Sequence, residues 1–197
     1  MKIKILTAAI LAIGVTTSAH ASILTFDDIG VLGSVYPNYT NNGFVEQGYQ
    51  FSNNMDVIDV SPSGGWWSNG VGSGHSGKFA TLNDYGGPMV MTLVGGGSFS
   101  VQDLWINGWQ GAPGTATITG LLNGVVTNTV SIEFGQPWTD AVLNFAQVDS
   151  LNLSATTVFL VDDISVNGGS KTVPEPATLA LLGLGLVGLG FSRRRKV

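Results

Sequence analysis

The chain of 197 residues has no cysteine, which excludes disulfides, thiolate metal sites and cysteine nucleophiles together. Its basic residues are few and sit at the ends. Of eight Lys and Arg, Lys2 and Lys4 open the chain and Arg193, Arg194, Arg195 and Lys196 close it. The span 22–173 keeps Lys78 and Lys171 against twelve acidic residues, a net charge of 2 − 12 = −10. A domain so charged repels phosphate backbones, so nucleic acid is excluded as a partner, while cation binding is compatible with it. Convincing 3.6-residue periodicity is also missing between the two ends, which excludes a helical bundle. One histidine, His75, remains beyond residue 21.

What is present begins with two terminal signals. Lys2 and Lys4 precede an apolar stretch from Ile5 to Val15, followed by polar residues and Ala19-His20-Ala21. This is the layout of an export signal, with cleavage expected after Ala21 and Ala19 as the other small residue of the site. The last twenty-six residues read as Val173-Pro174-Glu175-Pro176, an apolar Leu/Gly run to Phe191, and the basic end. That run holds about fifteen apolar residues, roughly 23 Å of helix against a hydrocarbon core of about 30 Å, so it spans a membrane marginally. The Arg/Lys cluster would stay on the cytoplasmic side and leave the rest of the chain on the far side. An ordinary tail anchor is the plain alternative. A GPI signal is disfavoured, because its hydrophobic tail ends the chain without a cationic cluster.

Pro174, Glu175 and Pro176, with the hydrophobic and basic segments behind them, closely resemble the PEP-CTERM sorting tail of Gram-negative bacteria. The resemblance implies a substrate of an exosortase-type transpeptidase, held transiently in the inner membrane by its C-terminal helix, then cut near the signature and released or passed to the envelope. It also implies an association with exopolysaccharide. It covers about an eighth of the chain and leaves the domain before it to be read from its own residues.

Residues 22–171, about 150 after processing, make one domain of common size. Glycine, at 28 of 197 residues, is about twice its usual frequency, and short Val/Ile/Thr/Phe runs alternate with turn residues. The expectation is all-β, a two-sheet jelly-roll-like sandwich, with strands at 23–26, 49–52, 55–60, 78–82, 89–94, 99–106, 115–122, 125–133, 141–145, 151–155 and 158–166. Asn123-Gly124 supplies the positive φ angles of a type I′ hairpin that sets Ile118 and Thr119 against Val130 and Thr129. A membrane barrel would need strands of about nine to eleven residues with aromatic girdles. Leu24-Thr25-Phe26-Asp27-Asp28-Ile29 and Phe159-Leu160-Val161-Asp162-Asp163-Ile164 resemble the first and last strands of exported jelly-roll domains that carry such tails, and the two would then be neighbours.

Three groups of side chains are candidates for chemistry. Asp27, Asp28, Asp162 and Asp163 would repel one another where those strands meet, and Ca2+, a seeker of six to eight oxygens, would relieve that; the alternative is that they cap turns and face water. Trp66 and Trp67 lie in a strandless run from Ser61 to Gly77, long enough to be functional. With Trp109 they offer flat faces for sugar rings, and Trp105, Asn107 and Trp109 share one face if that segment is extended. Core packing accounts equally well for Trp105 and Trp138. His75 would have to serve any Ser/His/Asp system, but no Gly-x-Ser-x-Gly elbow accompanies it. Two Gly-x-Gly-x-x-Gly matches lack the strand and helix of a dinucleotide site. No catalytic constellation emerges, and Glu46 and Glu133, the glutamates of the domain, lie in no glycosidase pattern. The sequence thus reads as an exported envelope or matrix component. A calcium-dependent carbohydrate-binding module and a polysaccharide-active hydrolase or lyase are the alternatives.

Overall fold

The computed structural model describes residues 21–36, 43–52, 54–68, 73–83 and 86–168. Ala19, the Pro174-Glu175-Pro176 signature, the expected hydrophobic helix and Arg193–Arg195 lie outside them. Among the described residues thirteen strands form two antiparallel sheets: β1(Ala21–Leu24), β2(Val35–Tyr36), β3(Phe44–Glu46), β4(Tyr49–Phe51), β5(Met55–Asp59), β6(Phe79–Asn83), β7(Met89–Leu93), β8(Phe99–Gly108), β9(Gly114–Leu122), β10(Val125–Phe134), β11(Thr139–Val148), β12(Ser150–Ala155) and β13(Phe159–Asn167). The first sheet runs β11-β8-β13-β6-β5-β2, with β1 also paired to β13, and the second β10-β9-β12-β7-β4-β3. The arrangement is a two-sheet, jelly-roll-like sandwich.

Alternation drives it. In β8, Phe99, Val101, Leu104 and Ile106 are buried in the core between the sheets while Ser100, Gln102, Asp103 and Trp105 are half-buried. β9 sends Ala116 and Ile118 into the same core, and β11 sends Ala141, Leu143 and Phe145. These period-two faces can be buried only by stacking two sheets about 10 Å apart. Phe26, Phe44 and Phe51 close one part of this core as an aromatic triad, with Phe44 and Phe51 stacked at 4.7 Å and Phe26 edge-on to both.

The Asn-Gly hairpin forms in the expected register, Thr129 opposite Thr119 and Val130 opposite Ile118, with φ of 53° at Asn123 and 75° at Gly124. An added Cβ at Gly124 would meet nothing within 4 Å, so Gly124→Ala should cost only the left-handed backbone, about 1 kcal/mol. A lower urea midpoint at unchanged slope would show it. Gly135→Ala, at a glycine whose nearest neighbour to an added Cβ is 3.5 Å away, should leave the midpoint in place.

The terminal strands are neighbours, Leu24 facing Ile164 and Ile23 facing Ser165. The first strand ends earlier than expected, at Leu24. Phe26 turns to φ +62° and its carbonyl accepts the Gly30 amide at 3.0 Å, so Asp27 and Asp28 fall in a turn. Two strands were not anticipated, Val35–Tyr36 and Phe44–Glu46; both are sheet edges too short to show alternation. β11 is longer than expected at both ends, because Thr139 and Val148 still pair with Ile106 and Phe99.

Candidate functional site

The first sheet has a second apolar face, turned away from the other sheet. Val35, Ile58, Val60, Ala80, Leu82 and Leu160 are buried there, and Trp67, Trp109, Trp138 and Val158 pack against them. The register explains why these residues meet. Opposed residues in an antiparallel pair share a face, and Asn107 stands opposite Leu160, Leu160 opposite Leu82, and Leu82 opposite Asp56. One step along the strands, Asp140, Trp105 and Asp162 stand in a row across β11, β8 and β13. Trp105 and Trp138, for which core packing was an equal reading, lie on this outer face and not between the sheets.

The segment after β5 is held onto that face by carboxylates. Asp59 accepts the Gly33 amide at 2.8 Å, the Ser61 amide at 3.0 Å and the Ser61 hydroxyl at 2.5 Å. Burial pulls its pKa up, but the Ser61 hydroxyl and the Gly33 and Ser61 amides outweigh it and hold the group below the usual value. A 3-10 turn, Gly65–Ser68, then presents Trp66 and Trp67. Their rings meet edge to face at 4.7 Å, and Trp109 lies 5.6 Å from Trp66 and 6.1 Å from Trp67. Trp66 is 62% exposed. The three form a braced aromatic platform with one indole open to solvent. β8 stays extended to Gly108 and Trp109 begins a 3-10 turn, which swings its ring toward Trp66 and Trp67.

His75 belongs to a second aromatic group. Its ring lies parallel to Trp105, centroids 3.7 Å apart and planes 11° apart, with Trp138 edge-on at 6.3 Å. Nδ1 is 2.6 Å from Oδ2 of Asp163, whose other oxygen accepts the Ser76 hydroxyl at 2.6 Å. Trp138 Nε1 donates to the Ser73 carbonyl. Asp163 reaches this far because the β13 register shifts between Asp162 and Ser165 and its φ is +46°. Ser, His and Asp are thus together, but the serine hydroxyl donates to the carboxylate and not to the imidazole, so the order needed to activate a nucleophile is missing.

Three of the four aspartates, Asp27, Asp162 and Asp163, reach residues 75–78. Asp27 accepts the Lys78 amide at 2.9 Å, and Asp162 accepts the Ser76 amide at 3.1 Å and the Asp163 amide at 2.8 Å. Asp27 and Asp162 accept backbone amides, Asp163 is engaged by the His75 and Ser76 side chains, and Asp28 is exposed. No group of three or more His, Asp or Glu is disposed around a cation among the described residues. Asp162 is fully buried. Burial first, and Asp163 second, push its carboxyl up to about 8 against the Ser76, Asp163 and His75 amides that favour the ionised form. Glu46 is buried too; desolvation, then Asp28 and Asp27, raise it against the Gln47 side chain. The role of Asp163 in seating His75 on Trp105 was not legible in sequence, since 88 positions separate the pair.

Residues 172–196 match the PEP-CTERM protein-sorting motif. The chain therefore carries a sorting motif that marks an exported exosortase substrate, sorted by way of the membrane. No match exists among curated proteins. Among solved structures, a DUF4465 family protein from Bacteroides caccae superposes with a TM-score of 0.57 at 12% identity, over 75% of this chain and 98% of that one, and so shares its fold. The CBM22-1-GH10 modules of the Clostridium thermocellum endo-1,4-beta-D-xylanase 10B, solved with xylohexaose, align with a TM-score of 0.41 at 12% identity, over 74% of this chain and 28% of that one. The C-terminal family 22 carbohydrate binding module of the same xylanase aligns with a TM-score of 0.40 at 11% identity, over 77% and 96% of the two chains.

Proposed function

We propose that the domain is a polysaccharide-binding component of the cell envelope or extracellular matrix, delivered there by its sorting tail and laying a glycan against the aromatic platform that covers the outer face of the first sheet. The observation that carries this is the Trp66–Trp67–Trp109 platform. An indole 62% exposed and braced by two others is preorganised, so little side-chain freedom is lost when a sugar ring stacks on it. The acidic surface suits a glycan associated with the exporting cell better than an anionic phosphate polymer.

The test is retention of the purified domain by the exopolysaccharide of the producing cell, followed by calorimetry. Trp66→Ala should weaken binding about tenfold and lower the melting temperature by only a few degrees, because the removed ring is mostly in water and loses only its contacts with Trp67 and Trp109. Equal retention of Trp66→Ala and the parent would remove the platform from the proposal. Shortening of the polymer on incubation would instead make the domain an enzyme.

A further inference from the structure

We infer that, while the sorting tail still holds the chain in the membrane, the domain stands with its Asn123-Gly124 end toward the lipid and the Trp66–Trp67–Trp109 platform outward. Glycan capture then does not wait for removal of the tail. The inference rests on the polysaccharide reading above for what is captured, and adds how the platform is presented. The chain enters and leaves the domain at one corner. Ala21 stands opposite Asn167, and Asn167 opposite Ser100 near the start of β8. An added Cβ at Gly168, the last residue described, would meet the Phe99 Cα at 3.3 Å. Turns of both sheets surround this exit: Val148 is opposite Phe99, and the next residue, Asp149, accepts the Asn123 amide at 2.6 Å.

The platform lies toward the other end of the same strands. Gly108 is opposite Phe159, and the Trp109 amide donates to the Val158 carbonyl at 3.0 Å. Ser100 and Gly108 are separated by about 27 Å of extended strand. Residues 168–176 join the domain to the apolar run that begins at Ala177, and a connector of that length reaches at most about 32 Å. An upright domain needs almost none of that reach. An inverted one, with the platform against the headgroups, needs nearly all of it, at the entropic cost of a single stretched conformation. Charge favours the same pose. Glu133, opposite Thr115, and Asp140, opposite Trp105, lie in the half of the sandwich nearer the platform, where anionic headgroups would repel them, while Lys171 lies in the connector.

The experiment is resonance energy transfer in vesicles of phosphatidylethanolamine and phosphatidylglycerol that carry the exported chain with its tail intact. Because the chain has no cysteine, a single dye can be placed at Val125→Cys or at Thr115→Cys, exposed positions at opposite ends of the β9–β10 pair, with the acceptor on the headgroups. Transfer from Val125→Cys should be severalfold stronger than from Thr115→Cys. Equal transfer, or the reverse order, overturns the orientation. The same vesicles are then offered the exopolysaccharide of the producing cell. They should retain it as well as the chain released from its tail and immobilised at equal density, and vesicles carrying Trp66→Ala should retain about tenfold less. Retention by the released chain alone would overturn capture before removal of the tail while the polysaccharide reading stands. If neither form retains polymer, the polysaccharide reading falls, and the energy transfer still decides the orientation.

Discussion

Phe26→Ala should cost about 3 to 5 kcal/mol, a fifth or more of the stability of a domain whose total lies in the range of about 5 to 15 kcal/mol. Phe26 is completely buried and its ring meets Phe44 at 6.0 Å and Phe51 at 5.5 Å, edge-on in both cases. It therefore ties the turn after β1 to the hairpin of β3 and β4, which belongs to the other sheet. Removing it opens a cavity between elements that already pair within their own sheets, so collapse is limited and the cost falls near the top of the range. The backbone supplies a second check. At φ +62° an L residue is strained by about 1 kcal/mol, whereas glycine is not. In an ordinary strand glycine is worse than alanine by about 0.5 to 1 kcal/mol. Here Phe26→Gly should be no less stable than Phe26→Ala. Chemical denaturation of the three proteins decides it, and a glycine variant clearly weaker than the alanine variant would contradict the strain.

The strength of that core was readable in outline before any coordinates. The hairpin register followed from Asn123-Gly124, because so few dipeptides tolerate two consecutive positive φ angles. The pairing of the first and last strands was expected from the resemblance that Phe26-Asp27-Asp28-Ile29 and Val161-Asp162-Asp163-Ile164 carry to the terminal strands of exported jelly-roll domains. The edges β2 and β3 were not readable: two or three residues cannot display a period of two. Nor was the bulge at Asp163. Nothing local distinguishes an aspartate that continues a strand from one that turns to φ +46° and reaches Ser76 and His75. The tryptophans were recognisable as candidates, but their grouping depended on pairings remote in sequence. Trp105 stacks on His75 because β13 lies beside β8, and Trp109 meets Trp66 because the segment after β5 folds back over the same face.

That folding back explains why one sheet has two buried faces. Asp59, Asp162, Asp163 and Asp27 each accept backbone or hydroxyl donors from 61–78 or its surroundings, so a glycine-rich segment with little apolar content of its own is held by hydrogen bonds. Gly74 and Gly77 permit the close approach: an added Cβ at Gly74 would strike the Ser76 carbonyl, and one at Gly77 the Asp27 carboxylate. The aromatic platform is thus mounted on a strap whose fastenings are acidic, which couples its position to protonation.

The protein should lose stability as pH rises from about 4 toward about 8, by up to about 1.4 kcal/mol per pH unit, through Asp162. Its folded pKa, pushed up to about 8 by burial and then by Asp163, stands above the value of about 3.9 for an aspartate in an unfolded chain. Between those values the folded state keeps a proton that the unfolded state has released, so the unfolded state binds fewer protons and stability falls with pH. Below the lower value the contribution is fully present; above the upper one it is lost. Asp162→Asn removes the titration and also turns one acceptor into a donor facing the Ser76 or Asp163 amide, a loss of about 1 kcal/mol. The variant should therefore be weaker than the parent at about pH 5 and stronger at about pH 8, so that the two stability curves cross. Parallel curves would show that Asp162 is ionised throughout. Calcium offers the complementary measurement, because a cation binds the carboxylate that the proton vacates. If the aspartates turn from their amides to take Ca2+, added calcium should raise the melting temperature of the parent more at about pH 8 than at about pH 5 and not that of Asp162→Asn. An identical, small shift in both proteins at both pH values would leave these four carboxylates as fastenings of the strap alone.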